Sequence, residues 1–329
     1  MTALAPLLQT FFTVRLLKEQ QASPNTIASY RDAFRLLLGF AVERLKKAPS
    51  DLLLTDLDAP FIGAFLEYLE SERENSARSR NTRLAAVHSF YRFISIQEPA
   101  HAALIQRVLA IPQKRFDRNI VSFLTEPETD ALLASPDRST WIGRRDHALL
   151  LVAIVTGLRV SELIASRREQ VFFETIPHIR CRGKGRKERC TPLTESAVSE
   201  LRDWFAEQGP NDSDFIFPSR RGFRLSRDAV EHLVAKYANI AGRRCPSLKG
   251  KTVSPHVLRH TAAVRLLQSG VDRSVIALWL GHESVETTQM YLDADLSMKE
   301  KALAKTAPLR FGSSRYKPGD RLLAFLEGL

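Results

Sequence analysis

The sequence predicts a mainly helical protein with one small antiparallel β-sheet, arranged as two domains. Three observations predict it. Apolar residues recur at helical spacing through the first third, a strand-and-turn pattern is confined to residues 171–193, and 329 residues are enough for two separate cores. Hydrophobic residues make up 44% and charged residues 26%, the balance of a globular chain rather than a disordered or fibrous one.

The elements follow in order. MTALAPLLQTFFTVRLL at the start lacks a basic n-region and a small-residue cleavage site, so it reads as an amphipathic helix and not a signal peptide. Ser23-Pro24 is an N-cap followed by a first-turn proline, and behind it Ile27, Tyr30, Phe34, Leu37 and Leu38 form a helical stripe. Leu84, Val87, Tyr91 and Ile94 form another. The stretch IPQKRFDRNIVSFL (111–124) then loses the helical period and carries a proline and three basic residues with little to build a core. This predicts a first domain over 1–112, a linker over 113–122 and a second domain over 123–329.

The second domain opens with a capping box, Thr125-Glu-Pro-Glu128. Helices are expected at about 128–134 and 144–155, with a break at Gly157 and a new helix from about Val160. Residues 171–193 read as the small sheet, with Ile176, Ile179, Cys181 and Cys190 as strand formers and GKG at the tip. The remainder to about 307 reads as helical, with caps at Ser226, Ser254 and Ser284. The longest apolar run, 148–155, is far too short to span a bilayer. Three cysteines do not make a disulfide framework, and Cys181 and Cys190 read as small apolar residues facing each other across a hairpin in a reducing, cytoplasmic compartment.

Charge narrows the function. Lys and Arg number 48 against 37 Asp and Glu, a net +11 with a pI near 9.8, and this points to a polyanionic partner, nucleic acid first. Four segments set unusual polar residues among apolar ones: TGLRVSEL (156–163), RGKGRKER (182–189), SPHVLRHTAA (254–263) and WLGHESVETTQMY (279–291). Glu162 lies three residues after Arg159, on the same helical face, where it can hold the guanidinium. Ser254 and Pro255 begin a helix whose first turn presents His256 and Arg259, where the dipole favours an anion. His256 and His260 at i, i+4 suggest zinc. However, no HExxH glutamate lies between them, no cysteine pair has ligand spacing, and Arg259 would set a cation beside the metal, so no metal and no cofactor are expected.

The order Arg159, Lys184, His256-x-x-Arg259, Gly281-His282, Tyr291, with 23 residues from Arg259 to His282 and nine from His282 to Tyr291, resembles the tyrosine recombinases, the integrase and Xer-type site-specific recombinases. The resemblance covers both domains. It implies an all-helical, SAM-like core-binding domain followed by a catalytic domain, together a C-shaped clamp on double-stranded DNA. The first-domain match rests on SPNTIASYRDAF and NTRLAAVHSFYRFI and assigns Arg80 and Arg83 to DNA. In the catalytic domain it makes Arg159, Lys184, His256, Arg259, His282 and Tyr291 catalytic, with Tyr291 the nucleophile and Lys184 the general acid. Lys187, three residues on, is the competing lysine. Arg182, Arg186, Lys187 and Arg189 are expected to grip phosphates, and Glu162 to support the site.

The implied reaction breaks and rejoins DNA through a 3′-phosphotyrosine, without metal or ATP, in integration, excision, transposition or dimer resolution. It further implies a tetramer on two sites, with the tail (about 293–329) exchanged between protomers or folded back; a partner recombinase and accessory factors stay open. A topoisomerase relaxing supercoils and a silent DNA-binding regulator of the same fold are the alternative readings.

Overall fold

The structure is a computed structural model that describes residues 2–116, 121–183, 188–207 and 213–281. The chain divides into two compact units, residues 1–118 and 119–329.

The regular elements of the first unit are helices over its described length, with one isolated bridge between Ala3 and Leu53. Helix α1 (Leu4–Thr10) continues into a wider π-type helix over Phe11–Glu19. Helix α2 (Pro24–Leu45) begins as the sequence predicts, with Ser23 Oγ accepting the Thr26 N–H at 3.1 Å and proline in the first turn. It stops at Lys46, whose φ of 55° is left-handed. Asp58 caps α3 (Ala59–Ser71), Ser76 caps α4 (Ala77–Gln97), and α5 (Ala102–Leu109) follows. Their apolar stripes meet in a core where Phe11, Phe34, Phe40, Phe65, Phe90 and Tyr91 are each 3% exposed or less. Each such side chain stabilises the fold by roughly 1.5–3 kcal/mol. The Tyr91 hydroxyl enters this core because it donates to the Leu57 carbonyl.

Arg80 and Arg83, expected to contact DNA, each make hydrogen bonds within the unit. Arg80 is buried: it donates to Asn81 Oδ1 at 3.1 Å and the Pro112 carbonyl at 3.2 Å, and lies 3.6 Å from Glu70. Arg83 is half-buried and donates back to the Ser79 carbonyl at 3.1 Å. Each guanidinium is engaged through Nη1 while its buried Nε has no hydrogen-bond partner among the described residues, and Arg80 acts together with Asn81. The Asn81 amide exchanges two hydrogen bonds with the Lys114 backbone, at 2.7 and 3.0 Å. Residues 112–114 are thereby held on α4. At the other end of the expected linker, Val121 and Phe123 pack on a second-unit cluster, and the Leu124 N–H donates to Thr261 Oγ1 at 2.9 Å.

In the second unit, α6 (Glu126–Leu133) starts at the predicted capping box. Burial pushes the Glu128 carboxyl up, but hydrogen bonds from Lys251, Ser247 and the Thr125 N–H outweigh it and hold the group down to about 2. Helix α7 (Trp141–Thr156) is the central element, burying Leu149, Leu150, Val152 and Ile154. The short α8 (Val160–Leu163) precedes a three-stranded antiparallel sheet in the order β1 (Val171–Phe172), β2 (His178–Arg182), β3 (Glu188–Pro192). Helices α9 (Glu195–Glu207), α10 (Arg227–Ala241), α11 (Pro255–Gln268) and α12 (Arg273–Leu280) complete the described part.

Two details of the sheet differ from the sequence reading. Ile176 lies in the turn before β2 and is 67% exposed. Cys181 pairs with Arg189, and Cys190 with Arg180. Opposite partners share a face of a sheet and neighbours do not. Cys181 is therefore buried and Cys190 exposed, on opposite faces.

Candidate active site

The site is assembled where α7 ends. Gly157 takes a left-handed φ of +62°, and a Cβ there would come within 2.6 Å of Leu280 Cδ2 and 3.1 Å of Ala262 Cβ, so glycine answers both the turn and the packing. The turn sets Arg159 as the residue capping α8. Glu162 reaches back to the Arg159 N–H with Oε2 at 2.8 Å and accepts from Arg159 Nη1 with Oε1 at 3.0 Å.

The end of α12 gathers the cations. It stops at Gly281, with φ +64°, and each of its last three carbonyls accepts from a different arginine. Arg189 Nε donates to Trp279 O at 3.1 Å, Arg259 Nη2 to Leu280 O at 2.7 Å, and Arg159 Nη2 to Gly281 O at 3.0 Å. Arg259 also donates through Nη1 to Gly157 O at 2.6 Å, joining the two left-handed turns. A helix C-terminus carries unsatisfied carbonyls and the negative end of the dipole, so this is where like-charged guanidinium groups can be brought together.

Arg189 differs from its expected role as a phosphate grip. Its Nη1 and Nη2 lie 2.9 and 2.8 Å from Glu162 Oε1 and Oε2, a fork-on-fork pair, and its side chain is only 12% exposed. Burial alone would raise the Glu162 carboxyl. The hydrogen bonds and charge of Arg189, with those of Arg159, bring it below the usual carboxylate range.

Helix α11 brings His256 and Arg259 from its first turns, as the Ser254-Pro255 start predicts, with Ser254 Oγ accepting the Val257 N–H. Arg259 is buried and His256 exposed. Partial burial lowers the His256 pKa, and the charges of Arg259, Arg227 and Arg159 lower it further. The imidazolium form of His256 is therefore disfavoured beside this array of cations. The rings of His256 and His260 stack with centroids 6.2 Å apart, and burial, His256 and Arg259 hold His260 at about 4. Arg227 is a cation of this site that the sequence reading passed over; its only signal was its place directly after the Ser226 cap of α10.

The described residues thus bring together Arg159, Glu162, His256 and Arg259. Arg182 ends β2 and is exposed. Lys184, Arg186, Lys187, His282, Tyr291, the Ser284 cap and the tail from 293 lie outside the described residues.

Residues 122–298, the stretch that holds this cluster, match the phage integrase family, and residues 10–98 match the N-terminal SAM-like domain of phage integrases. This chain is a member of the phage integrase family, the tyrosine recombinases. Within the family it is 59% identical over 327 residues to integrase/recombinase y4rC of Sinorhizobium fredii, covering 99% of this chain and 98% of that protein. It is 33% identical over 296 residues to the tyrosine recombinase XerD of Pseudomonas putida, covering 87% and 92%. Among solved tyrosine recombinases, the XerH site-specific recombinase, in a post-cleavage complex with its palindromic difH substrate, shares the fold with a TM-score of 0.68 at 22% identity, covering 87% of this chain and 81% of that one. Among the described residues no helix is long and apolar enough to cross a membrane.

Proposed function

We propose that this tyrosine recombinase cuts and rejoins double-stranded DNA at specific sites through a covalent 3′-phosphotyrosine at Tyr291, with two arginines supplying the charge that a phosphoryl transition state requires. The observation that carries this reading is the shared seat of Arg159 and Arg259 on the carbonyls of Leu280 and Gly281, with His256 three residues before Arg259 on α11. Planar forks held in place before the substrate arrives suit a phosphate whose nonbridging oxygens gain charge as it is attacked.

In the proposed step the Tyr291 oxygen forms a bond to phosphorus, and the bond from phosphorus to the 5′ oxygen breaks, its electron pair leaving with that oxygen. A phenol with a pKa of ~10 must lose its proton as it attacks, and in this reading His256, on the same helix as Arg259, accepts it. Lys184 supplies a proton to the departing 5′ oxygen, and His282 bonds a nonbridging oxygen. The ester to Tyr291 keeps the bond energy, so the reverse attack by a 5′ hydroxyl reseals the strand without ATP. Exchange of four strands between two sites calls for a tetramer, and the 38 residues after Tyr291 are the segment assigned to contact between protomers.

Target sites can be recovered by sequencing DNA held covalently by the protein, then rebuilt as nicked suicide duplexes. On a denaturing gel the parent should accumulate a protein–DNA adduct and Tyr291→Phe none. An adduct with both would move the nucleophile elsewhere, and none with either would overturn the function.

A further inference from the structure

Arg189 is more heavily bonded than a surface arginine on a hairpin needs to be. Its fork closes on both oxygens of Glu162, the carboxylate that also holds the Arg159 N–H and Nη1. Its Nε takes the Trp279 carbonyl, two residues before the Gly281 carbonyl that receives Arg159 Nη2. It therefore grips both supports of Arg159, the carboxylate and the helix end, from a strand of the sheet. Gly281 leaves room for this contact: a Cβ there would lie 2.7 Å from Arg189 Nη1 and 3.2 Å from Arg189 Cδ. Arg189 would still satisfy Glu162 if it met one oxygen alone, so the double contact fixes the rotation of the carboxylate plane as well as its charge.

We propose that Arg189 is a positioning residue for the recombination reaction, acting through Glu162 and the Trp279 carbonyl to aim the Arg159 fork at the scissile phosphate. This rests on the function proposed above. It replaces a phosphate contact on β3 with a role inside the protein. Lysine cannot reproduce it, because one ammonium cannot meet both carboxylate oxygens in a plane and the Trp279 carbonyl together.

The test compares wild type with Arg189→Lys and Arg189→Gln on three suicide duplexes: the ordinary phosphodiester, one with a methylphosphonate at the scissile position, and one with sulfur as the 5′ bridging atom. Methylphosphonate removes the negative charge that Arg159 neutralises, and sulfur removes the need for a proton on the leaving group. On the phosphodiester, Arg189→Lys should bind DNA within about twofold of wild type yet cleave about 10²-fold more slowly, as expected for a misaligned group. That ratio should shrink to about tenfold or less on the methylphosphonate and persist on the sulfur substrate.

Cleavage at the wild-type rate would overturn the proposal. So would an equal loss on phosphodiester and methylphosphonate, or recovery on sulfur, which would assign Arg189 to the placement of the hairpin lysine. Should the methylphosphonate react too slowly to follow, the sulfur arm still decides. Should Arg189→Gln fail to fold, the lysine variant carries the test, with its melting temperature measured alongside. Failure of wild type itself to form an adduct would instead count against the function proposed above.

Discussion

At the scale of single residues, the site is governed by how few acceptors hold so many donors. Glu162 is the one acidic side chain named in the cluster and receives bonds from two arginines, so its removal would leave Arg159 and Arg189 with main-chain carbonyls but no counter-charge. The histidines act in the opposite sense. His260 titrates at about 4 in the folded protein, below the ordinary 6.5, because burial and neighbouring positive charge disfavour the imidazolium. Between those values the unfolded chain binds the proton and the native one does not, so His260 contributes stability that is fully present above pH 6.5 and is lost as pH falls towards 4. Thermal melts from pH 4 to 7 should show stability rising with pH. His260→Gln should flatten part of that rise; an unchanged slope would show that His260 does not titrate this way.

At the scale of elements, the two left-handed turns at Gly157 and Gly281 decide where the arginines meet. Gly157→Ala would force φ +62° on a side chain with Leu280 Cδ2 only 2.6 Å away, and should cost about 1–3 kcal/mol. Gly39→Ala is the matched contrast: it lies exposed inside α2 with nothing within 4 Å of its added methyl, and should stabilise by about 0.5–1 kcal/mol. Opposite shifts in melting temperature check the pair, and a neutral Gly157→Ala would remove the argument that glycine is required there.

These turns also show what the sequence could convey. Ser23-Pro24, Thr125-Glu-Pro-Glu128, Gly157 and Ser254-Pro255 announced their helix boundaries because caps and left-handed turns depend on local chemistry alone. The pairing of His256 with Arg259 was legible for the same reason, since one helix turn places both. The inward turn of Arg189 and Arg80 was not, because whether an arginine meets phosphate or a carbonyl depends on what the distant chain brings to it. Glu162 and Arg189 are 27 positions apart, and Arg80 and Pro112 are 32 apart. Val121 was misread by composition for the same reason: a run with few apolar residues can still spend one of them on a core.

At the scale of the whole molecule, the two units have separate hydrophobic cores, one built from α1–α5 and the other around α7 and α11. The aromatic-rich first core, closed by the Asn81–Lys114 hydrogen bonds, has the means to stand alone. A fragment of residues 1–118 should therefore show helical circular dichroism and a single cooperative melt; a broad, non-cooperative one would refute independent folding.

The three carbonyls at the end of α12 have a consequence for how this enzyme tolerates mutation. Oxygens of the main chain survive every amino-acid replacement at positions 279 and 280, so drift there can alter packing without deleting an acceptor. A change of backbone path, such as a one-residue deletion in 279–281, would unseat Arg189, Arg259 and Arg159 in a single event. Lineages of this protein should accordingly keep Gly281 and the length of this stretch even where the side chains at 279 and 280 change.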